Sequence, residues 1–483
     1  MASDVSAYWF SRLVFERGLA LIYLVAFVGA ANQFVPLLGE RGLLSVARFT
    51  QAVPLRASPS LFFFWQSDTV LRIAAWSGVA LSCLILLDIP QRRGALAAAA
   101  VWTALWILYL SFVNVGQTFY GFGWESLLLE AGFLAIFLGG RTTPPSIWLG
   151  WLWAWLLFRL MFGAGLIKLR GDPCWRDLTC LDYYFETQPM PNPLSWYFHW
   201  MPAAVHRGGV AVNHFVELIV PFFYFTPAPL SSIAALVTIV FQLVLIVSGN
   251  LSWLNWLTIV LCLPLIDDRW WSWLPVTPPA LEAPASMYRY VVYGLVAVVA
   301  TLSIRPTRNL LSPSQMMNFS FNPLHIVNTY GAFGSITRTR YEIVLEGTDA
   351  PVVTPDTRWR EYEFKGKPGD PARRPPQVAP YHLRLDWLMW FAAMSPAPRD
   401  AWFRSLVVRL LEGDRHVVSL LDSTPFPDRP PRFLRARYYR YRFTSPEERA
   451  ATGAWWKRDL AGEFMPAVSL DQLNRGSARP TMR

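Results

Sequence analysis

IWLGWLWAWLLFRLMFGAGLIKL, residues 147–169, is an almost unbroken apolar stretch. A helix rising about 1.5 Å per residue crosses the ~30 Å hydrocarbon core of a bilayer in roughly 20 residues, and this run is long enough. Trp148, Trp151, Trp153 and Trp155 crowd its first half, where indole rings favour the headgroup level. Eight further apolar runs stand on either side: 13–34, 70–87, 95–113, 126–138, 210–225, 233–247, 251–266 and 288–304. Trp270, Trp271 and Trp273 follow the run 251–266 and mark another interface. The reading is an α-helical polytopic membrane protein of about nine transmembrane helices over residues 1–305. The first run is too long for a signal peptide, and no small-residue cleavage site follows it.

Composition separates two regimes. Charged residues make up 16% of the chain, against about 25% in a soluble protein, and the deficit lies before residue 305. A net charge of +10 does not imply nucleic acid. The arginines lie mostly in loops and the tail, and no basic stripe marks a groove-binding helix. Lys168, Lys365, Lys367 and Lys457 are the only lysines, a skew that suggests a GC-rich bacterial genome.

Arginine placement sets the orientation. Arg12 and Arg17, Arg92 and Arg93, Arg141 and Arg269 fall in alternate loops, which the positive-inside rule assigns to the cytoplasm along with the N-terminus. The loops near Gln117 and Gly249 carry no lysine or arginine. The longer loops 36–69 and 170–209 then face outward, and an odd helix count places the C-terminal domain outside as well.

Residues 306–473 read as a soluble α+β or β-rich domain. Alternation predicts strands over 341–346, 360–365 and 433–443; helical spacing predicts helices over 383–394 and 401–412. The strand FLRARYYRYRF (433–443) reads as carrying one basic face. Residues 474–483 lack core-forming side chains and read as a disordered tail.

Several long motifs, in order, carry a resemblance. They are YWFSRLVFERGLALIYLVAFVGAANQFVPLLGERGL from Tyr8, RLMFGAGLIKLRGDPCWRDLTCLDYYFETQPMPNPLSWYFH (159–199), GNLSWLNW (249–256), NTYGAFGSITRTRYEIVLEGT (328–348) and APYHLRLDWLMWFAAM (379–394). From Tyr8 to about Leu470 the chain resembles the lipase maturation factor family. The resemblance implies a membrane protein whose animal members reside in the endoplasmic reticulum and help dimeric lipases reach their active form. It implies a lipase-like client enzyme as partner, beside the lipid bilayer that the apolar runs require; no cofactor is expected. The C-terminus RPTMR is not an ER-retrieval signal, which fits a bacterial member in the cytoplasmic (inner) membrane. FGAGLIKL (162–169) is also similar, over this one motif, to the vitamin K-dependent γ-carboxylase superfamily. There a membrane lysine serves as a base, and Lys168 matches it.

Candidate residues follow. Lys168 reads either as a desolvated base of an intramembrane enzyme acting on a lipid or quinone, or as a snorkelling side chain at a helix end. Cys174 and Cys180 flank WRDLT in the outward loop. Their spacing suits a structural disulfide in an oxidising compartment and is unlike the CxxC of thiol oxidoreductases. Glu125, Glu130, Arg159, His214, Glu217, Asn250 and Asn255 are polar at membrane depth; they form either an interior polar site with Lys168 or interhelical hydrogen bonds. Arg435, Arg437, Tyr439 and Arg440 offer a contact for a client or for lipid headgroups, or are a plain sheet face. His199 and His206 are not spaced as zinc ligands and no metal is expected. No Gly-x-Ser-x-Gly elbow, P-loop or HExxH occurs.

Overall fold

The structure, a computed structural model, describes residues 8–477 apart from Ser272 and Pro284. Each apolar run is helical: Trp9–Leu38, Asp68–Leu86, Ala95–Val115, Gly123–Ala135, Ile147–Arg170, Ala203–Leu218, Leu230–Ser248, Leu254–Cys262 and Ser286–Leu302. Among the described residues, seven spans are long and apolar enough to cross a membrane, with Ala203–Phe225 and Ser286–Leu311 each taken whole. Gly123–Ala135 and Leu254–Leu265 are shorter, reaching only about 20 Å. They lie inside the bundle: every residue of Gly123–Ala135 except Phe133 is buried. A helix wrapped by other helices does not have to match the lipid thickness. The Ala203–Leu218 helix starts before the expected run, because Arg207, Gly208 and Gly209 interrupt its apolarity but not its hydrogen bonding.

The arginine-bearing loops meet at one end. Asp88 pairs with Arg17 at 2.9 Å, Arg92 at 3.2 Å and Arg141. Arg12 donates to the carbonyl oxygens of Leu138 and Arg141 at 3.4 and 3.1 Å and to that of Thr143. Asp268 accepts the amides of Phe10 and Ser11 at 3.0 Å, capping the first helix. The chain then alternates between ends, so the region after Leu311 sits opposite this arginine cluster.

That region holds a four-stranded antiparallel sheet of order β2-β1-β3-β4: β1 Arg340–Thr348, β2 Arg360–Glu361, β3 Phe433–Phe443 and β4 Trp456–Val468. The helices Arg384–Ala392 and Ala401–Leu411 fall where spacing predicts. The strand expected over 360–365 is regular only at Arg360–Glu361, beyond which Glu363 makes an isolated antiparallel bridge to Ser423. β4 was not expected: Gly462 and Pro466 break its alternation, and its register against β3 shifts three times. A last helix, Leu470–Ser477, enters the segment expected as a disordered tail, whose residues 478–483 lie outside the described residues.

The single basic face expected of β3 is corrected. β3 pairs with β1 without interruption, Tyr441 opposite Arg340 through Phe433 opposite Thr348, so alternate residues take opposite faces. Arg435 and Arg437 therefore share one face, and Arg440 and Arg442 the other. Each face is apolar over half its length. Leu434 and Ala436 enter the main core; Tyr441 and Phe443 turn to the opposite side and pack with Trp196, Trp455 and Trp456. The main core itself is continuous from Phe15 and Tyr23 of the first helix to Ile343, Trp387 and Leu434 of the C-terminal region.

Candidate functional site

The polar residues at membrane depth form three separate joints, and two of them are completed from the C-terminal region. In the first, Glu130 on Gly123–Ala135 pairs with Arg159 on Ile147–Arg170, both 1% exposed. Asn328 donates to Glu130 through its amide and side-chain nitrogens, each at 3.0 Å, and Tyr330 through its hydroxyl at 2.7 Å. Arg159 donates to the Asn328 carbonyl at 2.6 Å. The approach is close enough that a Cβ on Gly163 would lie 2.5 Å from the Tyr330 carbonyl oxygen. Glycine is needed there to admit the crossing chain.

In the second joint, Arg384 donates to Glu125 and to the Phe119 carbonyl oxygen, both at 2.7 Å, and lies 3.4 Å over the Tyr120 ring. Tyr109 donates its hydroxyl to the other Glu125 oxygen. Gln33 accepts the Arg384 amide at 3.0 Å and donates to the His382 carbonyl at 2.7 Å. The His382 ring stands among Phe122, Trp124, Trp253 and Trp387. Burial, opposed by the nearby Glu125 carboxylate, holds its pKa at about 4, so it is neutral at pH 7.

In the third, Lys168 donates to Glu217 at 2.6 Å and Asn213 at 3.0 Å, and lies 5.0 Å over the Trp175 ring. Asn213 closes the triangle onto Glu217 at 2.9 Å. Lys168 neither snorkels nor stands free; it is buried and paired.

The remaining candidates lie elsewhere. His214 meets the Trp175 carbonyl oxygen at 2.9 Å. Asn250 accepts the amides of Val378 and Ala379 at 2.8 and 2.9 Å and donates to Pro191 and Pro376. Asn255 donates to Gln242 at 2.7 Å. Cys174 and Cys180 are joined by a disulfide beside Trp175 and Tyr184. Just before it, Asp172 takes a two-pronged contact from Arg338 at 2.6 and 3.0 Å, which lowers its pKa.

The stapled loop is fastened to β1. Arg340 donates to the carbonyl oxygens of Glu186, Gln188 and Pro189 at 3.0, 2.5 and 3.0 Å and to Glu342 at 2.6 Å. Lys367 reaches the other Glu342 oxygen at 3.0 Å. On β3, Arg435 pairs with Glu346 at 2.5 Å and stacks 4.1 Å over Trp359. Arg458 covers Tyr439 at 4.8 Å. Arg437 and Arg440 form no ion pair among the described residues, and Arg440 is exposed.

The two halves of this interlock match two family descriptions. Residues 10–273 match the lipase maturation factor transmembrane domain, and residues 326–466 the lipase maturation factor C-terminal domain. The chain belongs to the lipase maturation factor family. It is 45% identical to lipase maturation factor 1 of Bos taurus, over 96% of this chain and 90% of that protein, and 45% identical to its Homo sapiens counterpart. Lipase maturation factor 2 of Homo sapiens is 30% identical, over 95% of this chain and 82% of that protein. No solved structure matches. In this family member, the joint residues that the C-terminal region supplies (Asn328, Tyr330, His382 and Arg384), with Arg340 and Glu342 of the loop fastening, were unrecognised from sequence and fall inside two of the motifs that carry the family resemblance, 328–348 and 379–394.

Proposed function

We propose that the protein is a membrane-held maturation factor for lipase-type enzymes, engaging its client at the end formed by the stapled loop and the C-terminal region. The observation that carries this reading is 45% identity over 96% of the chain to proteins named lipase maturation factor 1. The mechanism needs no covalent step. A surface that binds an immature client more tightly than the mature one shifts the population toward assembly-competent states. Leu194, Tyr197, Trp200 and Met201 at the rim are exposed and apolar, the surface type an immature client would contact. Lys168 acts as a structural cation rather than as a base, because Glu217 and Asn213 occupy its ammonium.

The proposed orientation puts the N-terminus in the cytoplasm and the C-terminal region outside, supported by the arginine-bearing loops gathered at the opposite end. The arginine-rich, lysine-poor composition supports a bacterial cytoplasmic membrane as the location. The test is deletion of the gene in its host, with secreted lipase followed by both activity and immunoblot. Unchanged lipase protein with reduced specific activity is expected. Unchanged specific activity across the secreted lipases would overturn the proposal.

A further inference from the structure

Between the Ala203–Leu218 and Leu230–Ser248 helices lies a cavity of about 460 Å³, within the size range of small-molecule sites, about 300–1,000 Å³. Val216, Val237 and Phe241 line its interior, and Tyr184, Phe185 and Phe198 of the stapled loop roof it. Its walls are almost all carbon. The polar groups it does meet are turned to other partners: Asn213 to Lys168 and Glu217, the Trp175 indole to the Phe333 carbonyl at 2.8 Å, and Ser248 to the Leu245 carbonyl at 3.3 Å. A polar ligand would lose its hydration there without replacement.

The rim fixes what can enter. Val212, Ile233, Val240 and Val244 border the opening and are exposed, and all lie on membrane spans. The cavity therefore opens sideways, at the depth where the surrounding medium is hydrocarbon. We propose that it is an acyl-chain site: one chain of a bilayer phospholipid enters between the two helices and ends beneath the disulfide-stapled loop. The chain packs against Tyr184 and Phe185, next to the Glu186 carbonyl that Arg340 holds.

The test irradiates the full-length protein in detergent with phosphatidylcholine carrying a diazirine in one acyl chain, and maps labelled peptides by mass spectrometry. Saturable labelling of 209–216 and 236–245 is expected. Val237→Trp, which fills the cavity, should lower it about tenfold. Leu243→Trp, on the lipid-facing side of the same helix and 45% exposed, should leave it unchanged. Equal labelling in Val237→Trp overturns the proposal. Should that variant fail to elute as a single species, competition on the wild type decides. Displacement by unlabelled phosphatidylcholine at these peptides supports the site; labelling that rises without saturation overturns it. Displacement by oleate but not by phosphatidylcholine overturns the assignment to a bilayer phospholipid.

Discussion

Arg384→Met removes the one full positive charge in contact with Glu125. Two charge-assisted hydrogen bonds disappear, to Glu125 and to the Phe119 carbonyl, each contributing about 1.5–3 kcal/mol. A stacking contact over Tyr120 is lost with them. The Glu125 carboxylate, 0% exposed, keeps only the Tyr109 hydroxyl as a hydrogen-bond donor among the described residues, with the neutral His382 ring 3.8 Å away. Breaking a buried pair by removing one partner costs about 3–5 kcal/mol, a large part of the roughly 5–15 kcal/mol that stabilises a typical fold. The yield of monodisperse protein and its half-unfolding temperature in detergent should both fall sharply. Glu125→Gln alone should also fall, because Arg384 is then buried unpaired. The double variant should recover about 1–3 kcal/mol relative to the sum of the singles. Strictly additive losses would refute the direct coupling of these residues, and a wild-type Arg384→Met would refute the joint itself.

Cys174→Ala with Cys180→Ala should cost about 2 kcal/mol, the loop-closure value for so short a ring; in intact cells an impermeant thiol reagent should label the wild-type pair only after reduction, and labelling only after permeabilisation would invert the proposed orientation. His382 has a folded pKa of about 4 against about 6.5 unfolded, so the unfolded chain binds the extra proton between those values. Stability is then full above pH 6.5 and declines toward pH 4, by at most roughly 3 kcal/mol from this residue; melting temperatures against pH should flatten in His382→Phe, and an unchanged slope would count against it. Lys168→Met should impair the protein, whereas Lys168→Met with Glu217→Met should restore much of the lipase-maturation activity; a double variant that folds yet stays inactive would revive a chemical role for the lysine. A Cβ on Gly132 would lie 1.8 Å from the Tyr23 hydroxyl, whereas one on Gly150 meets nothing within 4 Å; Gly132→Ala should therefore destabilise by about 1–3 kcal/mol and Gly150→Ala should be neutral, as judged by half-unfolding temperature.

Properties set by local chain chemistry were legible before the structure. The helices declared themselves because apolar runs of membrane length need no partner to be recognised, and the alternation of β3 and the spacing of the cysteines are equally local. Glu125, Glu130, Arg159, Lys168 and Glu217 were visible as polar groups where polar groups are costly. Their grouping was not legible, because Asn328 is 198 residues from Glu130 and Arg384 is 259 from Glu125. No periodicity reports contacts over that distance. β4 hid behind Gly462, Pro466 and its irregular register. The two-faced placement of the arginines on β3, by contrast, was open to reading: Arg435 and Arg437 sit at odd positions and Arg440 and Arg442 at even ones.

The joints completed by Asn328, Tyr330 and Arg384 also bear on how the chain is made. Synthesis delivers the Gly123–Ala135 helix long before the residues that complete its contacts. Arg159 arrives first and neutralises Glu130, but Glu125 has no cation until residue 384 has emerged. A nascent chain stopped short of that point carries a bare carboxylate into hydrocarbon, where such a group is strongly disfavoured. The short, charged fourth helix therefore completes its contacts only after nearly four-fifths of the protein has been translated, and prematurely terminated chains leave an unfinished bundle.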